Sequence, residues 1–451
     1  MQIAPNFTQL ESSPEYKVQR AEFQCLLVVA AAVLLLFLLE DRLGGIAYLY
    51  LEQYLLIPAA LFLGFALSRK LSRQAVGMLL LSATILAWFL ISQTGHRILE
   101  QTNTKIGVFF CAYAMFLPFA AVTQDEVRQR GLKIISALFL TVGALLVIAA
   151  GLLVTGLLPA YLHGRVYWDG TRFYGSRHPN ICATLLMIGI AFAMGAFMRT
   201  RKRWLRGALL VFLAALFAVA SLTNGRTTLV FTCFLIGGVV FCSLRKTGWK
   251  RFLVALLAGM IVMGGLFTLS GKLYAANAER LSSMAQQNNE SSQMEQIQKP
   301  ITNGQGTWEN DLRTLNGRTG IWKSAVEEFR ENPGIQWIGT EYVSMIVSRA
   351  NPFPVEHTHN SWLEALYRMG YPGLALALVL TAMAVWDAAI LLWRNDDVWK
   401  SCIALLTLCL LGCGMLEPYL FVVDINCFFL DFLFLMCLGY MNLWCKRCPE
   451  N

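Results

Sequence analysis

Charged residues are scarce in this chain of 451 residues: they make up 14% of it, against about 25% in a soluble domain. That shortage excludes an ordinary water-soluble globule. The 37 basic residues form no single tract, so the net charge of +9 is no sign of nucleic-acid binding. No G-x-x-x-x-G-K-[ST] segment occurs, which leaves nucleotide hydrolysis without its phosphate loop. The zinc-protease pattern H-E-x-x-H and the G-x-S-x-G nucleophile elbow are missing too. Without ATP, a reaction at the outer face needs a substrate that arrives already activated. Of twelve cysteines, only Cys445 and Cys448 stand at C-x-x-C spacing, with no second pair and no histidine partner to complete a metal site. Most of the others, such as Cys111, Cys182, Cys233 and Cys409, sit inside apolar runs as small hydrophobes. A small-residue cleavage pattern is absent after Lys17 and Arg20, so the first apolar run is expected to stay in place as a signal anchor.

What the chain does have is apolar length. Hydrophobic residues make up 56% of it. They gather near 22–40, 46–67, 76–94, 106–123, 131–158, 180–198, 207–223, 226–243, 252–270, 373–393, 400–416 and 420–443. Each run is long enough, or nearly so, to cross a bilayer as a helix of about 20 residues. The intervening segments alternate in charge. Lys17 and Arg20, S-R-K-L-S-R, V-R-Q-R-G-L-K, R-T-R-K-R-W-L-R, L-R-K-T-G-W-K-R, R-N-D-D-V-W-K and the last C-K-R fall on one side and hold more than half of the 37 basic residues. By the positive-inside bias that side is the cytoplasm, and both termini lie there. The expected fold is an all-α integral membrane protein of about twelve transmembrane helices with a large extracytoplasmic loop. Residues 1–270 hold nine spans, 271–372 the loop with an amphipathic helix, and 373–451 the last three spans. A transporter shares this layout, but would be expected to place its ionisable residues at mid-membrane; here they stand in the outer loops.

Those outer loops carry the candidate chemistry. Residues 277–310 are rich in Gln, Asn and Ser, too polar to order themselves strongly, and a mobile stretch is expected there. Beyond it, Ile321, Trp322, Ala325, Val326 and Phe329 recur at helical spacing; Asn316 can cap the start and Asn332-Pro333-Gly334 ends the run. Ser361 and Glu364 have capping-box spacing at the start of the helix that leads into the tenth span. Arg226 opens a helix after the Asn224-Gly225 turn, either as a snorkelling anchor or as an anion ligand, whose planar fork of donors suits phosphate oxygens. Arg318 reads either as a solvated charge or as a second such ligand. Arg172 and Arg177 stand among aromatics in R-F-Y-G-S-R-H-P-N, where Gly175 and Pro179 shape a turn and Asn180 can cap the next helix. In V-E-H-T-H-N-S-W, His357 and His359 could join Glu356 at a metal, or His359 could act as a general base or as a packing residue. The helix N-terminus that follows His359 favours an anionic substrate.

The segments R-F-Y-G-S-R-H-P-N-I at 172–181, S-L-T-N-G-R-T-T at 221–228, N-G-R-T-G-I-W at 316–322 and H-T-H-N-S-W-L-E-A-L-Y-R-M-G at 357–370 resemble the O-antigen ligase and O-antigen polymerase superfamily of bacterial surface-polysaccharide assembly. The resemblance covers about residues 130–390. It implies a C-type glycosyltransferase-related membrane fold in the bacterial cytoplasmic membrane, with its active site facing outside, no cofactor and no metal. The implied donor is a glycan on undecaprenyl diphosphate, and the acceptor is a hydroxyl of a glycan or lipid-glycan. By the same resemblance Arg226 and Arg318, with Arg172 beside them, bind the diphosphate and His359 is the base, supported by Asn360 and Trp322. Ligase and polymerase remain alternatives; the late, long outer loop ending in H-x-H-N favours a ligase.

Overall fold

The computed structural model describes residues 73–94, 125–159, 162, 166–169, 172–175, 178–245, 249–290, 318–340, 346, 355, 357–394, 397–421 and 428–446. In hydrocarbon a spanning segment has to satisfy its own backbone N–H and C=O groups, and the apolar runs accordingly fold as helices. In chain order these are α1 (Arg73–Thr94), α2 (Asp125–Thr155), α3 (Pro179–Arg199), α4 (Arg203–Leu222), α5 (Arg226–Leu244) and α6 (Trp249–Glu290). After them come α7 (Arg318–Glu331), α8 (Pro333–Ile338), α9 (Ser361–Arg394), α10 (Val398–Gly414) and α11 (Phe428–Lys446). A two-stranded antiparallel hairpin, β1 (Tyr167–Trp168) and β2 (Phe173–Tyr174), pairs Tyr167 with Tyr174 and Trp168 with Phe173 ahead of α3. Among the described residues six helices are long and apolar enough to cross a membrane, and α1, α10 and α11 contain shorter apolar stretches. The chain is thus a largely helical membrane protein. The expected spans at 22–40, 46–67 and 106–123 lie outside the described residues, as do Asn316, Glu356, Arg177 and Cys448.

From α3 to α6 and from α9 to α11 successive helices run in opposite directions, so the bundle has two chemically distinct ends. At one end the basic segments meet and are stitched together. Arg199 pairs with Asp397 at 3.3 Å, Arg245 donates to the Leu392 and Trp393 carbonyls at 2.8 and 2.6 Å, and Arg394 donates to the Cys445 carbonyl at 3.1 Å. Trp204, Trp249 and Trp393 stand exposed at this same end, a belt of the kind that sits at headgroup level. At the opposite end lie the starts of α3, α5 and α9 and the ends of α4 and α10. Every outer-loop residue named from the sequence and described in the structure is at that end or in the segments next to it.

Between the ends, α3 is largely enclosed, with Leu185, Leu186, Met187, Ile188, Ile190 and Phe192 buried. It packs against α2, α4, α5 and α10. Apolar side chains of α4 and α6, such as Val211, Val254 and Ile261, point outward. Lipid tails are as apolar as these side chains, so helix association rests on close packing. At the α5–α6 crossing a Cβ on Gly237 would stand 2.6 Å from the Gly259 carbonyl oxygen, and one on Gly259 would stand 2.9 Å from that of Gly237. Only glycine lets the backbones approach so closely.

Three readings of the sequence need correction. The helix expected to end at 270 continues through Glu290, so 277–290 is helical and the boundary at 270 falls within one helix. Its polar C-terminal part extends a rod already nucleated in the apolar part, where each added residue gains a hydrogen bond without a new nucleus. In the apolar run at 420–443 the described helix begins at Phe428. Leu420 and Phe421 are buried without being helical, and Phe421 has a φ of +70°; their apolarity records burial, which is not the same as a helix. The boundary drawn at 372 lies inside α9, two residues after its kink at Gly370, where φ is +68°. A Cβ there would meet the Trp337 carbonyl oxygen at 2.3 Å. The kink lets the short α8 dock against the turn, so α9 has an outer segment that carries the loop and an inner one that spans.

Candidate active site

The loop before α9 is held from below and from the side. Asn360 caps the helix: its Oδ1 accepts from the Trp362 and Leu363 N–H groups at 3.0 and 2.9 Å. The capping box read from Ser361 and Glu364 is therefore replaced. Ser361 donates to the Glu417 carbonyl at 2.9 Å, and Glu364 accepts from the Thr358 N–H at 2.7 Å and from Arg368 Nε at 2.9 Å. Arg368 is only 1% exposed. Removing Glu364 would leave that guanidinium buried without its carboxylate, a loss of about 3–5 kcal/mol. Trp322 of α7 donates to the Thr358 carbonyl at 2.8 Å, which ties the amphipathic helix to the loop. That helix forms as its spacing indicates, with Ile321, Ala325 and Phe329 buried.

These ties fix His359, whose own φ is +54°. A non-glycine residue in this region costs on the order of 1–3 kcal/mol and persists only where its surroundings hold it. Its Nδ1 lies 3.3 Å from Oε2 of Glu417, and its ring stands edge-on to that of His357 with centroids 4.3 Å apart. The other oxygen of Glu417 accepts from Arg318 Nη2 at 2.5 Å and from Asn180 Nδ2 at 2.6 Å. One carboxylate thus gathers the starts of α3, α7 and α9. Asn180 is not the cap of α3: His178 takes that place, its Nδ1 accepting from the Asn180 N–H at 3.3 Å, with Pro179 at the first helical position.

Burial presses the Glu417 carboxyl upward, but the His359 hydrogen bond and the charges of Arg318, His359 and His178 outweigh it and hold the group below its ordinary value. A carboxyl lowered in this way stabilises the assembled site above the ordinary carboxylate range. That contribution is lost as pH falls through the depressed value.

Arg172 and Arg226 both lie within electrostatic reach of Tyr274. The Arg172 N–H donates to Asp169 Oδ1 at 2.6 Å across the hairpin turn. Tyr274 of α6 hydrogen-bonds the Asn224 side chain and lies in the fields of Asp169, Arg172 and Arg226. Asn224 takes a left-handed φ of +48°, which turns the chain so that Arg226 opens α5. Gly225 sits against α3, where a Cβ would stand 3.0 Å from that of Ala183 and 3.6 Å from Asn180 Oδ1. Asn180 therefore links the two halves, one side of its amide facing the Arg226 turn and the other holding Glu417.

Sequence reasoning missed Glu417, Asn180 as its partner, and the Glu364–Arg368 pair. Glu417 left one signal, an isolated acidic residue before a proline in the short turn G-M-L-E-P-Y-L between two apolar runs. Cys445 donates its thiol to the Asp387 carbonyl at 3.3 Å and is packed in the bundle.

The family model described as O-antigen ligase matches residues 214–378. That stretch contains Arg226, Arg318, Trp322, His359 and Asn360; Arg172, Asn180 and Glu417 lie beyond it. The match supports the resemblance to the O-antigen ligase superfamily that the motifs carry. No curated protein sequence matches the chain.

Proposed function

We propose, on the premise of the O-antigen ligase match over residues 214–378, that the protein is a ligase-like glycosyltransferase of a bacterial inner membrane. It transfers a glycan from undecaprenyl diphosphate to an acceptor sugar hydroxyl at the outer face. The observation that supports this most is the convergence of Arg318 and His359 on Glu417 at the end of the bundle away from the basic belt. In the reaction the acceptor oxygen bonds to the anomeric carbon as its proton passes to His359. The bond from that carbon to the diphosphate oxygen breaks, and its electron pair leaves with the lipid diphosphate. Arg318, Arg226 and Arg172 offset the charge that develops there, while Asn360 and Trp322 hold the loop. Imidazole and guanidinium supply the base and the counter-charge, so the proposed reaction needs no metal or cofactor. The alternative is a polymerase, in which the acceptor is itself lipid-linked.

Transfer by the purified protein in proteoliposomes tests this reading. A labelled glycan on undecaprenyl diphosphate is expected to move to a lipid-glycan acceptor, in the presence of a chelator as well as without it. Inhibition by chelator that added metal reverses would overturn the metal-free mechanism, and no transfer by folded protein to either acceptor class would overturn the function.

Orientation has its own test, and the basic belt supports placing that end in the cytoplasm. In a cysteine-free background, an impermeant thiol reagent added outside cells is expected to label Lys323→Cys and to spare Lys202→Cys. The reverse pattern would remove an outward-facing site.

A further inference from the structure

Glu417 has no part in the proton and glycosyl transfers proposed above. It is nearly enclosed, its side chain 9% exposed, and its backbone carbonyl accepts from Ser361 Oγ and from the Tyr419 N–H, each at 2.9 Å. Both carboxylate oxygens are occupied, one by Arg318 and Asn180 and the other by His359. A buried acid fixed this firmly between a candidate base and a candidate phosphate ligand does more than fill space.

We infer that Glu417 is a positioning residue that sets the tautomer of His359 and shares Arg318 with the substrate's diphosphate. This rests on the function proposed above and gives the base a partner. A carboxylate has no proton to donate, so a hydrogen bond at Nδ1 requires the proton to be on that nitrogen. The lone pair of the neutral ring is then on Nε2. The acceptor hydroxyl gives its proton to Nε2, and the resulting imidazolium is stabilised by the charge of Glu417. The lowered carboxyl value accords with a group that stays ionised throughout. The other charged and titratable groups around the pair are Arg318 from α7, His178 at the start of α3 and His357 in the same loop. The charge of Arg172 reaches His178.

Arg318 also gains a role from this pairing. A diphosphate entering beside it competes with Glu417 for the guanidinium, and each N–H contact it wins leaves more of the carboxylate's charge for His359. Donor binding and activation of the base are coupled through one acid.

The test uses Glu417→Gln, which keeps shape and removes charge, and Glu417→Asp, which keeps charge on a shorter arm. For Glu417→Gln, kcat is expected to fall about 100-fold, within the range of general-base effects, while undecaprenyl diphosphate, measured directly, binds more tightly because glutamine competes less for Arg318. Glu417→Asp should recover part of the rate. A merely structural role would lower the rate and leave the protonated nitrogen of His359 unchanged in Glu417→Gln, and that result overturns the inference, as does a wild-type rate in Glu417→Gln. Nitrogen-15 labelling of the five histidines gives a readout that needs no turnover. His359, assigned by its loss in His359→Ala, is expected to carry its proton on Nδ1 in the wild type and to lose that preference in Glu417→Gln. A wild-type ring protonated on Nε2 refutes the positioning role even if transfer occurs, whereas an Nδ1 proton without transfer preserves it and refutes the glycosyl-transfer reading instead.

Discussion

His359→Ala is expected to abolish measurable transfer while leaving the binding of undecaprenyl diphosphate intact, because the substitution removes a proton acceptor and touches none of the arginines. A positioned base contributes about 100- to 10,000-fold, so a two-fold loss would be too small for the role. His357→Ala should be milder. Its ring meets that of His359 edge-on, at 4.3 Å between centroids, whereas the described Glu417 bond belongs to His359. Transfer rates and donor affinity measured side by side for the two variants decide the matter. Equal losses in both would mean that the pair acts together and that His359 is not the separate base.

Arg318→Lys and Arg226→Lys should each lose most activity although they keep the charge. Lysine offers a point charge, whereas the guanidinium can hold one partner and present further N–H groups to a phosphate. Losing one charge-assisted hydrogen bond costs about 1.5–3 kcal/mol, or roughly 10- to 150-fold in rate. Arg318→Lys has a second consequence, since Arg318 also donates to Glu417 at 2.5 Å; Arg226→Lys leaves that bond alone and isolates the contribution to the diphosphate. Alanine should be at least as damaging at both positions. For Arg318 it also strips a nearly buried carboxylate of its cation, so a thermal melt of each variant should accompany the rates. Lysine variants with wild-type rates and melts would exclude the arginine concerned from diphosphate binding.

Much of the architecture was legible from residue order because a bilayer imposes a local rule. A helix has to be apolar over a fixed length, and its hydrogen bonds close within four residues. Nine of the expected runs contain helices among the described residues, and the basic segments mark one end of the bundle. The amphipathic α7 was legible for the same reason, since Ile321, Ala325 and Phe329 are neighbours along one face. Errors arose where burial and helicity part company, at Leu420 and Phe421, and where a helix outlasts its apolar stretch, at 277–290.

The assembly of the site was not legible, because its bonds ignore sequence distance. Glu417 lies 99 residues from Arg318, 237 from Asn180 and 58 from His359, and no spacing rule spans such intervals. The sequence by itself determined a helical membrane protein with arginines and histidines in its outer loops, since hydropathy and charge act residue by residue. Only the tertiary structure decided that three helix starts meet at one enclosed carboxylate. A buried charge cannot remain without partners, and packing alone determines which groups are near enough to serve.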